Sequence, residues 1–140
     1  MRFMIIVKAS PDSETGRLPS GEELAEMGKF NEELVNAGVM LAGEGLHASA
    51  QGARIAYGSG APVVTDGPFP ETKELVAGFW IWNVKSRDEA IAWAKKAPFR
   101  EGEVEIRQVA ESEDFAASDP TGELRAAEDE LRRRVEQQQR

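Results

Sequence analysis

Two segments of this sequence are apolar on both of their alternating faces, and they constrain any fold it can adopt. In AGFWIWNV (Ala77 to Val84), Phe79 and Ile81 fall on one side of an extended strand, and Trp80, Trp82 and Val84 on the other. In RFMIIVK (Arg2 to Lys8), Phe3, Ile5 and Val7 alternate with Met4 and Ile6. Strands of this kind belong in the middle of a sheet, where neither face is left in water.

The other elements arrange themselves around these two. Ser20-Gly-Glu-Glu23 matches a capping box and predicts a helix to about Ala37. Its apolar stripe is Leu24, Met27, Phe30, Leu34 and Val35, and Gly38 stops it. Val39 to Ala42 reads as a second strand, followed by the glycine-rich GEGLH (Gly43 to His47). Ala53 to Tyr57 and Val63 to Thr65 flank Gly58-Ser-Gly60 as a hairpin. Ser86-Arg-Asp-Glu89 is a second capping box, opening a helix to about Ala97, where Pro98 ends it. Glu103 to Val109 is a last strand, whose alternation fits a half-exposed edge. Ser10 to Ser20, rich in polar residues, Pro and Gly, reads as a mobile loop.

The order β-α-β-(β-hairpin)-β-α-β predicts an α+β fold, a ferredoxin-like sandwich with an antiparallel sheet and two helices on one face. The two-faced strands lie centrally. The helices cover one face only, so the other leaves Met4 and Ile6, or the two tryptophans, in water. This predicts a homodimer packed through the sheet face; the alternative is that the C-terminal segment folds back over it. Residues 1–110 form the domain and 111–140 a charged helical extension. Asp119-Pro120 signals its helix start. Glu128/Arg132, Asp129/Arg133 and Glu130/Arg134 are acid-to-base pairs at i,i+4, and Leu124, Leu131 and Val135 form a thin apolar seam.

Composition excludes several functions. A net charge of −8 argues against binding to nucleic acid or anionic membrane. The absence of cysteine excludes disulfides, thiolate metal sites and cysteine nucleophiles, and a single histidine excludes a multi-histidine metal site within one chain. No metal or cofactor is expected. The apolar run Phe3 to Val7 is too short for a signal peptide or a membrane span, which places the protein in the cytoplasm.

The chemistry-bearing residues gather at two places. Asp66-Gly67-Pro68-Phe69 reads as a rigid turn, with the Asp66 carboxylate accepting local N–H bonds and Phe69 anchored in apolar surface. The same rigidity can present Asp66, Glu71, Lys73 and Glu74 at the mouth of a cleft. His47, just past a strand and a run of glycines, is a surface residue or a general acid or base. Beside Asp66 or Glu44 it forms a His–carboxylate pair. Trp80 and Trp82 belong to a core, an interface or a pocket wall.

VTDGPFPETKE (Val64 to Glu74), with NAGVMLAGEGL (Asn36 to Leu46) upstream and AGFWIWNV downstream, resembles the YCII-related family. More narrowly, it is similar to the subgroup named for its DGPFAETKE signature, with Pro70 in place of the usual alanine. The likeness covers about residues 1–110. It implies a ferredoxin-like α+β fold assembled as a dimeric α/β-barrel-type unit. It also implies a small enzyme or binding protein whose site contains a His–Asp pair. In some members that histidine lies on the first helix, where this chain has none, since its one histidine is His47. What carries over is the signature loop, with Asp66, Gly67, Pro68 and Phe69 as the edge of a pocket. Subgroup members are associated with extracytoplasmic-function sigma factors, which implies a regulatory or accessory role. Two functions follow. One is a small-molecule enzyme or binder with Asp66 and His47 as acid and base, and Glu44, Gly67, Pro68, Phe69, Glu71 and Lys73 around the ligand. The other is a non-catalytic dimeric module that senses a ligand or contacts a transcription factor.

Overall fold

A computed structural model describes residues 1–140, which divide into two units, Met1–Gln108 and Val109–Arg140. The first unit runs β1 (Arg2–Lys8), α1 (Pro11–Glu14), α2 (Gly21–Asn36), β2 (Met40–Gly45), β3 (Ala53–Ala56), β4 (Val63–Asp66), β5 (Val76–Asn83), α3 (Arg87–Ala94) and β6 (Val104–Gln108). Four strands form an antiparallel sheet in the order β2-β5-β1-β6. This is the strand order of a ferredoxin-like sandwich, with β3 and β4 inserted as a separate two-stranded ribbon. The two strands that are apolar on both faces are the central pair, as their pattern requires.

Register decides which face the helices cover. Phe3 pairs with Trp82 and Ile5 with Trp80, so these four side chains share one face. There they pack with Phe30 and Leu34 of α2, Ala90 of α3, Val39 and Val84. Phe30 meets Trp80 and Trp82 edge-on, with ring centroids 5.8 and 6.3 Å away, the arrangement that aromatic quadrupoles favour. The Trp82 indole N–H is the one buried side-chain polar atom left without a partner. On the opposite face Met4 pairs with Ile81 and Ile6 with Phe79, all half-buried. The tryptophans are therefore the covered set. Met4, Ile6, Phe79 and Ile81 form the other set, on the face away from α2 and α3.

Both main helices start at the serines the sequence marks. Ser20 accepts from the Glu23 N–H and Ser86 from the Glu89 N–H, each at 3.1 Å. The glutamates do not return the favour as a full capping box would. Glu23 is drawn to Arg17, and Glu89 accepts from the N–H of Lys85, one residue before the cap. Three boundaries differ from the sequence reading. The Ser10 to Ser20 stretch contains the short helix α1, started by a reciprocal Ser10–Ser13 capping box with Pro11 at its first position. Strand β2 continues through Gly43 and Gly45, held by β5, where glycine propensity suggested a loop. Helix α3 ends at Ala94 rather than Ala97.

The second unit comprises a 3-10 segment, Ser112–Ser118, and helix α4 (Glu123–Gln138). Asp119 caps α4 from a distance, across a turn ending at left-handed Gly122, so Pro120 does not lie in the first turn. Its carboxylate accepts from the N–H groups of Leu124 (3.3 Å) and Arg125 (2.9 Å) and from the Arg125 side chain. The Arg125 N–H chiefly, then the Arg125 guanidinium and the Leu124 N–H, hold this carboxyl below the usual carboxylate range. Two of the three expected i,i+4 pairs form, Glu128–Arg132 and Glu130–Arg134, while Arg133 turns to Glu130 instead of Asp129. Leu124, Leu131 and Val135 are exposed. No helix is long and apolar enough to cross a membrane.

Candidate functional site

On the helix-covered face, three neighbouring positions carry no side chain. Gly45 of β2 pairs with Gly78 of β5, Gly78 pairs on its other side with Val7, and Gly43 pairs with Trp80. Strand alternation puts 43, 45 and 78 on the same face as Trp80. Elsewhere on this face side chains fill the space beneath the helices. Here they leave an open cleft of about 230 Å³. Bare sheet backbone forms its floor. Met27 and Asn31 of α2, with Val7, Trp80 and Phe99, form its walls.

The three glycines are not equivalent. A Cβ on Gly43 would stand 2.8 Å from both Met40 Cε and Trp80 Cδ1, and one on Gly78 would stand 2.8 Å from the Glu44 carbonyl oxygen. Those two positions are glycine because their neighbours approach too closely for anything else. A Cβ on Gly45 would meet nothing within 4 Å. The volume its missing side chain leaves is cleft, not packing. The polar equipment is sparse. Asn31 Oδ1 accepts from the Trp80 indole N–H at 2.9 Å. Glu44 lines the cleft, but its pairing with Phe79 assigns its side chain to the opposite face.

The loop from Asp66 to Glu74 hangs from the same end of the sheet. There β1 and β2 finish and β5 begins: the Ala9 N–H donates to the Leu75 carbonyl and the Leu46 N–H to the Ala77 carbonyl, at 2.9 and 2.8 Å. The loop is bound tightly to the 3-10 turn Ser49–Gln51. Gly67 donates to the Gly52 carbonyl at 3.0 Å and lies so close to this turn that a Cβ there would fall 1.7 Å from the Ser49 oxygen. The Phe69 N–H donates to Ser49 Oγ at 3.1 Å. Ser49 in turn donates its hydroxyl and its N–H to the two oxygens of Glu14, at 2.5 and 3.0 Å. One carboxylate from α1 thus holds the serine that holds the loop. The Arg54 guanidinium stacks 3.8 Å above the Phe69 ring and pairs with Glu71 at 3.2 Å. The Glu71 carboxyl is held low chiefly by its own backbone N–H, with Arg54 adding to the effect.

This alters the expected turn. The Asp66 carboxylate makes no hydrogen bond, so Ser49, Gly67 and Arg54 pin the loop in its place. Phe69 is anchored under a cation as well as by contact. The Gly67–Pro68 peptide is cis. His47 and Asp66 are both exposed and neither makes a side-chain hydrogen bond or ion pair, so the chain alone does not assemble them into a pair. Pro68 and Lys73 are exposed as well. No three His, Asp or Glu side chains gather in a way that would hold a metal ion. Sequence reasoning missed Asn31, Gly45, Gly78, Phe99, Glu14 and Ser49. The Gly43-Glu-Gly45 spacing was the available signal: glycines two apart on one strand clear one face of a sheet.

Residues 1–113 match the family model of the YCII-related domain. The chain belongs to the YCII-related family. An uncharacterized protein of Rhizobium meliloti (strain 1021) is 38% identical over 61 residues, 41% of this chain and 49% of that protein. The match therefore spans about half the length of that curated relative. Among solved structures, 5-chloro-2-hydroxyhydroquinone dehydrochlorinase (TftG) from Burkholderia phenoliruptrix AC1100, in complex with 2,5-dihydroxybenzoquinone, is similar over 81% of this chain and 98% of that one, at 19% identity and a TM-score of 0.44.

The glycine inventory of this YCII-related chain yields a paired prediction. Gly67→Ala forces a methyl into the Ser49 backbone and is expected to lose stability at or above the roughly 1–3 kcal/mol of an overpacked site. Gly45→Ala is expected to lose none. Urea denaturation midpoints check both, and equal stability of Gly67→Ala and wild type would contradict the close approach.

Proposed function

We propose that this YCII-related chain is a small-molecule enzyme or binding protein, and that its ligand sits in the glycine-floored cleft. The observation that carries this reading is the open position at Gly45, a residue whose lack of a side chain serves no packing contact. A cleft of about 230 Å³ lies below the roughly 300–1,000 Å³ of drug-sized sites. It fits a compound of about one ring. Chemistry on such a ligand would fall to groups at this end of the sheet, and in this reading Asp66 and His47 are the acid–base candidates. Gly67, Pro68, Phe69, Glu71 and Lys73 belong to the rim.

The test is a thermal-shift screen of small metabolites, since a ligand that binds the folded state raises its melting temperature. Hits are expected with wild type and are expected to disappear in Gly45→Leu, whose Cβ meets nothing within 4 Å and whose side chain would extend into the cleft. Hits that shift Gly45→Leu equally would sink the proposal.

A regulatory or accessory role beside a sigma factor would need a protein-binding surface. The sheet face of Met4, Ile6, Phe79 and Ile81 is apolar and half-buried, and we assign it to a second copy of the chain. Charges border this patch, with Lys8, Glu105 and Arg107 linked by ion pairs. Apolar centres with polar rims are the usual anatomy of an interface. Sedimentation at tens of micromolar is expected to give twice the chain mass, falling to one in a folded Ile6→Glu variant. A monomeric wild type would contradict the assignment.

A further inference from the structure

The cleft has one polar side chain on its own face, and its chemistry is fixed. An indole N–H can only donate, so the atom of Asn31 that meets Trp80 Nε1 at 2.9 Å is its oxygen. Trp80 itself is buried and braced by the Phe30 ring edge, so the partner that orients the amide does not drift. The bond uses the Trp80 donor and one lone pair of the amide oxygen. The Asn31 Nδ2 group makes no hydrogen bond within the protein, although the residue is half-buried and lines the cleft. Two N–H donors therefore remain for whatever enters.

We propose that Asn31 is the ligand-orienting residue of this cleft, presenting its two amide donors to a small uncharged ring compound that carries an acceptor oxygen. The inference rests on the cleft reading above and adds the class of ligand. Each feature comes from the lining. The acceptor oxygen answers the Nδ2 donors, which a purely apolar ligand would leave unpaired at a cost. The ring answers Trp80 and Phe99, whose centroids lie 6.0 Å apart at 59° and which wall the cleft. The lack of net charge follows from the lining: no Lys or Arg is there to compensate a desolvated anion, and Glu44, the one acid, has its side chain on the opposite face, so a cation would go uncompensated as well.

Matched probes test this: acetophenone, which has a ring and a carbonyl, and ethylbenzene, which replaces the carbonyl by a methylene. Both are titrated into the full-length protein and followed by NMR at the Asn31 side-chain amide and the Trp80 indole. Wild type is expected to bind acetophenone about tenfold more tightly, the worth of one hydrogen bond to a half-buried group, with the Asn31 Nδ2 protons shifting. Asn31→Asp keeps an oxygen for the Trp80 indole and removes both donors. It is expected to lose the preference for acetophenone, read as the ratio of the two affinities within the variant. Equal binding of the two probes by wild type, or a preference that survives in Asn31→Asp, overturns the role of Asn31 and leaves the cleft standing. No binding of either probe, or unchanged binding by Gly45→Leu, overturns the cleft itself and this inference with it.

Discussion

The antiparallel pairing of β1 with β5 is the constraint on which the rest of the first unit depends. It sets Phe3 against Trp82 and Ile5 against Trp80 on one face, and Met4 against Ile81 and Ile6 against Phe79 on the other. A shift of one residue would exchange the two faces. With this register the tryptophans lie under α2 and α3, where their large apolar area is removed from water. Everything nearer the strand ends inherits its position from that choice. Gly78 falls on the helix side because Trp80 and Trp82 do, and Gly43 and Gly45 follow through the pairing of β2.

The same register separates two uses of one sheet. One face is core along most of its length and becomes a cleft where glycine replaces larger residues. The other is apolar, half-buried and bordered by charge. The loop from Asp66 to Glu74 belongs to neither. Its most specific features, Gly67 against Ser49 and Phe69 beneath Arg54, fasten it to the strand ends and to α1 through Glu14.

Much of the fold was legible in the sequence because it rests on periodicity and local caps. The central strands declared themselves by being apolar on both sides, and Ser20 and Ser86 marked the helix starts. Which face of each strand the helices would choose was not legible, since both faces are apolar and only pairing decides. The end of β2 was misread because glycine weakens a strand by itself, and the neighbouring β5 supplies the hydrogen bonds that propensity does not. The α4 start was displaced because Asp119 reaches its N–H groups across a turn instead of from the adjacent position.

The candidate site was less legible, for a related reason. Asp66 and His47 stood out as residue types able to do chemistry, and both are exposed, with no hydrogen bond or ion pair between their side chains. Asn31 and Gly45 did not stand out, because an asparagine on an amphipathic helix and a glycine after a strand are unremarkable until the fold sets them around one space. The most direct measurement is a fragment-binding map, recorded as backbone and indole shift changes in the wild-type protein. The account predicts that single-ring compounds perturb Gly43, Gly45, Gly78 and the Trp80 indole together. Changes confined to His47 and the loop from Asp66 to Glu74, with those four unmoved, would contradict it.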